Sequence, residues 1–185
     1  MSDLSRPNRA VRVPLDDNGR AIRDAQLYAL LGEYQNTVVR STHLDVVTQE
    51  LIRLRCARQH DCRICQTLRL VDAQHSGVDE DMESKIDFYE TSDLSERHKT
   101  ALRIVDAFIW RPQDMSDELV AQAHEHFSDA ELAEILVDIT KWSTQKIHVT
   151  LGIYGADHVT TDDRGVAYFT FANDGKVASI SAERV

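Results

Sequence analysis

The sequence is poor in the features that mark specialised classes of protein. Three prolines and seven glycines in 185 residues leave no room for a proline- or glycine-rich linker of any length. No block of Lys and Arg is long enough to follow a phosphate backbone, and the charge balance, 21 basic against 31 acidic residues, gives −10. Nucleic acid is therefore not an expected partner. No uninterrupted apolar run approaches the ~20 residues of a membrane span. The first residues, Met1 to Val13, are charged and lack the apolar centre of a secretory signal. No membrane partner is expected, and the location expected is cytoplasmic. Three cysteines, two of them three residues apart, exclude a disulfide-stapled framework and point to redox or metal chemistry.

What is present fits a globular chain able to bury a core: 42% apolar and 28% charged residues. Residues 1–20 read as an irregular arm ending in the turn signal Asp16-Asp17-Asn18-Gly19. Apolar positions at helical spacing predict a helix from about Arg20 to Arg40 and a second from Leu44 to Arg58 with the stripe Val47, Leu51, Leu54. Glu50 falls at the edge of that stripe, and Cys56 lies opposite it. Asp61 stands where an N-cap would stand, so Cys62 to about Ala73 reads as a third helix, ended by Gly77. A short helical stretch follows over Glu80–Tyr89. Ser95, Ser116 and Ser128 then open three further helices; Ser128 with Glu131 forms a capping box, and Met115 with Val120 and Phe127 with Leu132 are set as hydrophobic staples. The last helix carries Leu132, Ile135, Leu136, Ile139 and Trp142 and runs toward Leu151. Residues 165–171 and 176–181 are β-prone and flank Ala172-Asn173-Asp174-Gly175, a hairpin turn signal. A lone hairpin is marginal in water, so it should pack on the helical body or a neighbouring subunit. The expectation is an all-α domain over 21–158 followed by a tail, 159–185, with a short β-hairpin.

The chemistry-bearing motif is Cys62-Arg63-Ile64-Cys65. Cysteines at i and i+3 of a helix lie one turn apart, within disulfide reach. At a helix N-terminus the free N–H groups and the dipole favour the thiolate, the reactive form. A thiol peroxidase or disulfide exchanger needs one such sulfur to attack and a second to resolve the sulfenic acid. Redox, metal-binding and incidental readings all remain open for a lone Cys-x-x-Cys. Zinc wants four ligands, and the remaining candidates, Cys56, His60 and His75, stand at no standard spacing, so no metal is expected. Cys56 reads as structural. From the pattern alone Glu50 reads first as a solvated helix carboxylate, and His60, two residues before Cys62, as a solvated loop histidine before a proton shuttle. Arg69, one turn beyond Cys65 on a continuous helix, would favour a thiolate or turn out to water. His148 falls on the last long helix and would face either the site or solvent. Trp110 and Trp142 read as packing residues rather than substrate platforms.

The run Glu50-Leu51-Ile52-Arg53-Leu54-Arg55-Cys56-Ala57-Arg58, followed by Asp61-Cys62-Arg63-Ile64-Cys65, resembles the core of the carboxymuconolactone decarboxylase and alkylhydroperoxidase D superfamily. Phe127-Ser128-Asp129-Ala130-Glu131-Leu132 and the Lys146…Leu151-Gly152 end extend the resemblance, which covers about Leu27 to Gly155. Glu50 precedes Cys62 by twelve residues, as the family's proton-relay glutamate precedes its first cysteine. The resemblance implies an alkylhydroperoxidase D-like helical bundle forming homo-oligomers, trimers or hexamers in the common case and dimers in others. It also implies a cofactor-free peroxidase cycle on small hydroperoxides, with Cys65 attacking, Cys62 resolving, Glu50 relaying the proton and an external thiol or dithiol reductant closing the cycle. At Arg69 the family's peroxidases carry a histidine, and where a second relay histidine can stand between the cysteines this chain has Ile64. Arginine does not deprotonate near neutral pH, which leaves Glu50 or His60 to move the proton while Arg69 acts electrostatically. Two other readings stand beside the peroxidase: a cofactor-free decarboxylase or lyase acting on a small acid held by Arg69, and a non-catalytic redox-sensing module.

Overall fold

The structure is a computed structural model, and it describes residues 25–150 and 159–183. The expected arm at 1–20 and the end of the last helix at Leu151 lie outside the described residues. Eight α-helices and three short strands are described: α1 Ala25–Val38, α2 Val46–Gln59, α3 Arg63–Thr67, β1 Leu68–Leu70, α4 Val71–His75, α5 Glu80–Lys85, α6 Glu96–Trp110, α7 Asp117–His126, α8 Asp129–Thr150, β2 Ala167–Phe171 and β3 Val177–Ser181. Among the described residues no helix is long and apolar enough to cross a membrane.

The helix starts are set by local chemistry. Asp45, Ser95 and Ser116 each accept a backbone N–H from three residues on. The capping box at Ser128 closes in both directions: Ser128 N–H donates to Glu131 Oε2 at 2.8 Å, and Glu131 N–H to Ser128 Oγ at 3.3 Å. Phe127 and Leu132 both pack into the main core, as their staple requires. Met115 packs there too, and Val120 is 39% exposed.

Helix α2 is the axis of the fold, packed by α6, α8, α3 and α4. Its residues Glu50 through Leu54 are all buried, the signature of a helix enclosed on every side rather than striped. Leu51 and Leu54 meet Ile86, Tyr89, Leu94 and Leu102. On the opposite face Ile52 and Cys56 meet Ile104, Val105, Ile135, Ile139 and Trp142. The expected single stripe is therefore one of two, and Cys56, opposite the first, sits fully buried in the second.

The expected helix from Cys62 to Ala73 does not form as one element. It breaks into α3, β1 and α4. The reason is tertiary: Leu68, Arg69 and Leu70 pair in parallel with Ala167, Tyr168 and Phe169, nearly a hundred residues away in sequence. Side chains of α2 satisfy backbone groups that the break leaves outside a helix. Arg53 donates to the carbonyls of Cys65 (3.2 Å) and Leu68 (2.5 Å), and Leu70 N–H donates to Glu50 Oε1 at 3.1 Å. The N-cap also shifts by one. Asp61 has φ +49°, not the extended backbone of a cap, and it is the Cys62 Sγ that accepts the Cys65 N–H, at 3.4 Å.

The C-terminal hairpin forms as expected, β2 against β3 antiparallel, with Gly175 at φ +82° in the turn. It is not solitary: β1 adds a third strand in the order β1-β2-β3 and ties the tail to the helical body. Phe169 packs on Leu70, Ala73 and Val78, and Phe171 reaches the main core beneath α8.

Candidate dithiol site

The turn between α2 and α3 delivers both cysteines inward. Cys62 is wholly buried and Cys65 is 7% exposed, packed with Ala57 and Val149. Their Cα atoms are 5.3 Å apart and the sulfurs are joined as a disulfide. The sequence expectation that a long helix dipole would stabilise the thiolate needs correction, because α3 has five residues and the macrodipole of so short a helix is small. What the break brings to α3 instead is a contact from α2, the Arg53 guanidinium on the Cys65 carbonyl at 3.2 Å.

Glu50 and Arg53, one turn apart on α2, form a buried bidentate pair: Nε to Oε2 at 2.5 Å and a terminal nitrogen to Oε1 at 2.6 Å. Glu50 is 1% exposed and Arg53 3%. The carboxylate is thus neither at the edge of a buried face nor solvated; both its oxygens are held. Arg53 carries the connection onward to the Cys65 carbonyl. Sequence reasoning passed over Arg53; the i, i+3 spacing of opposite charges on one helix was the available signal.

His60 closes α2, and its carbonyl accepts the Thr150 hydroxyl at 2.9 Å. Its Nε2 is buried with no hydrogen-bond partner. Burial, and then the charge of Lys146, hold the imidazole below its usual pKa, so it is neutral at pH 7. Arg69 lies on β1, not on a helix one turn past Cys65. Its guanidinium pairs with Glu83 at 2.6 Å and lines a separate cavity of about 190 Å³ with Glu80 and Arg164. Its charge is thus matched by the Glu83 carboxylate. The Cys56 thiol is pushed up to about 12, first by burial, an inert packing sulfur. His148 is partly buried on α8, next to the Val149 that covers the cysteines. Trp110, expected as a packing residue, is 61% exposed, with its indole N–H on Gln59 at 2.5 Å. Among the described residues no cluster of three or more His, Cys, Asp or Glu is placed to hold a metal.

Helix α8 faces α2 with a set of buried charges that sequence reading did not single out. Glu134 accepts four donors: the Ser41 hydroxyl, the His43 and Leu44 N–H groups and the Gln49 amide. Lys146 is 1% exposed, and burial with the nearby Arg53 charge lowers its amine to about 7. Asp138 and Lys141 are equally enclosed, 2% and 3% exposed.

A helical alkylhydroperoxidase D-like fold with a buried Cys-x-x-Cys at the α2–α3 turn is the class these features define. The fold assignment rests on a solved structure from Agrobacterium tumefaciens, a protein of unknown function proposed to be the antioxidant defence protein AhpD. The two superpose with a TM-score of 0.61 at 22% identity, over 74% of this chain and 94% of the other. No family model matches the sequence. Uncharacterized proteins from two strains of Mycobacterium tuberculosis are 39% identical over 125 residues, 67% of this chain. The chain spans less than half, 44%, of the length of those curated relatives.

Proposed function

We propose that the protein is a thiol-dependent peroxidase that reduces small hydroperoxides through the Cys62–Cys65 pair. The observation that carries this reading is the disulfide itself, two buried cysteines 5.3 Å apart packed against Ala57 and Val149. The Cys65 thiolate attacks the terminal peroxide oxygen; the S–O bond forms as the O–O bond breaks, and the alkoxide leaves with a proton as the alcohol. The Cys62 thiol then attacks the sulfenic sulfur, the disulfide forms and water leaves. An external dithiol donor returns both sulfurs to thiols.

The proton must reach a base. His60 suits the role better than Glu50: it is neutral at pH 7 with a free Nε2, whereas both Glu50 oxygens are occupied by Arg53. Glu50 is then a positioning residue, acting through Arg53 on the Cys65 carbonyl. Arg69, paired to Glu83, gives little support to either thiolate activation or capture of an acidic lyase substrate. Exposed Leu136, Val137 and Ile147 on α8 and Leu30 on α1 support self-association into a homo-oligomer. A cytoplasmic location agrees with a dithiol that must be reduced again in each cycle.

Peroxide consumption with excess dithiothreitol tests the reading. Cys65→Ser should lose about 100-fold or more in rate. Cys62→Ser should form a sulfenic acid at Cys65, trapped by dimedone, without multiple turnovers. A Cys65→Ser protein as fast as the parent ends the proposal. Oxidation of the thiols without turnover in the presence of reductant would mark a redox sensor instead.

A further inference from the structure

A second cavity, of about 120 Å³, lies between α2, α8, β1 and β2, and neither Cys62 nor Cys65 lines it. Val39, Val46, Leu70 and Phe171 give it apolar walls, and Asp138 and Trp142 line it from α8. We propose that this cavity binds a small aliphatic alcohol, whose hydroxyl accepts the Trp142 indole N–H and donates to the Asp138 carboxyl.

Two orphaned polar atoms carry the argument. Asp138 and Trp142 are 2% and 8% exposed, and neither Asp138 Oδ2 nor Trp142 Nε1 has a hydrogen-bond partner. Buried polar groups are nearly always paired, because an unpaired one has given up its hydration and received nothing in return. Four residues apart, the two side chains stand on one face of α8, and both border the same space. The indole N–H can only donate, and the carboxyl oxygen can accept. A hydroxyl meets both at once, since a single oxygen accepts one hydrogen bond and donates another.

A single water would meet the same two atoms, but the size of the cavity and its walls favour a larger occupant. A water takes about 30 Å³ of the liquid, about a quarter of this cavity. Further waters would find their polar neighbours already engaged. Arg53 is bonded to Glu50 and to two carbonyls, and the Gln49 amide donates to Glu134. Asp72, the remaining polar wall, is exposed to bulk solvent. An alkyl chain of about four carbons fits the rest of the space, and packing it on the two valines, Leu70 and Phe171 removes apolar surface from water. The walls also favour an uncharged head. The Arg53 charge is matched by Glu50, and burial, then Glu134, push Asp138 up to about 8, so it is uncharged at pH 7.

The test is a titration of the full chain, oxidised at Cys62 and Cys65, with n-butanol, following the Trp142 indole N–H by heteronuclear NMR. The chain has two tryptophans, so Trp110→Phe, at a residue 61% exposed, leaves Trp142 as the one indole signal. That signal should move downfield and saturate, with a Kd of about 10 mM or below. Methyl propyl ether, an isomer that accepts but cannot donate, should bind at least about tenfold more weakly, the loss of one hydrogen bond. Asp138→Leu should abolish saturation; if that variant does not fold, the alcohol-to-ether ratio on the Trp110→Phe chain decides. No peroxide or reductant is present, so the outcome is independent of the dithiol assay. A signal that does not saturate, as a cavity holding only water would give, or an ether that binds as tightly as the alcohol, overturns the proposal.

Discussion

Replacing Arg53 by methionine tests whether the buried ion pair on α2 holds the site together. Arg53 makes four hydrogen bonds, two to Glu50 and one each to the carbonyls of Cys65 and Leu68. Methionine keeps a stem of similar shape but donates nothing. Glu50 would then remain as a buried carboxylate with the Leu70 N–H as its remaining donor. Breaking a buried pair from one side costs roughly 3–5 kcal/mol, because the surviving charge has lost both water and partner. The two carbonyls add about 1 kcal/mol each where no water replaces the guanidinium. In a protein of this size 1 kcal/mol moves Tm by about 2–4 °C, so Arg53→Met should melt at least about 6 °C lower. The double variant Glu50→Leu, Arg53→Met removes the orphaned charge and should recover about half or more of the loss, since only the carbonyl bonds stay missing. Urea unfolding followed by circular dichroism measures both. A single variant within about 1 kcal/mol of the parent, or a double variant no better than the single, would refute the argument that the pair is a mutual necessity.

Two further outcomes are expected. Lys146, buried with its amine lowered to about 7 against about 10.4 in the unfolded chain, binds fewer protons folded than unfolded across that window. Its presence makes stability rise with pH from 7 to about 10, by about 1.4 kcal/mol per unit at most. Asp138, raised to about 8, pulls the other way below pH 8 in parent and variant alike. The parent's pH–stability curve should therefore rise more steeply between pH 7 and 10 than that of Lys146→Met, with the variant more stable at pH 6; parallel curves would contradict it. Gly175→Ala would place a methyl group on the Asn36 carbonyl of α1 at a residue with φ +82°. It should cost about 1–3 kcal/mol and speed amide exchange in β2 and β3 more than in α6, an outcome that unchanged exchange in the hairpin would exclude.

Local rules carried the reading of this sequence a long way. Ser95, Ser116 and Ser128 fixed three helix starts because a cap needs only its own next few residues. Ala172 to Gly175 fixed the hairpin because a turn is a four-residue object, and the spacing of Cys62 and Cys65 located the dithiol for the same reason. Tertiary structure decided the rest. Residues 68–70 leave helical backbone to pair with a strand a hundred residues on, which no periodicity encodes, and that departure carries Arg69 away to Glu83. Cys56 and Glu50 are buried because α2 has neighbours on every side, and one helix's stripe cannot count them. Asp138, Lys141 and Lys146 look like solvent-facing charges until α8 is laid on α2. Only then do burial and mutual proximity move their titration away from the ordinary range.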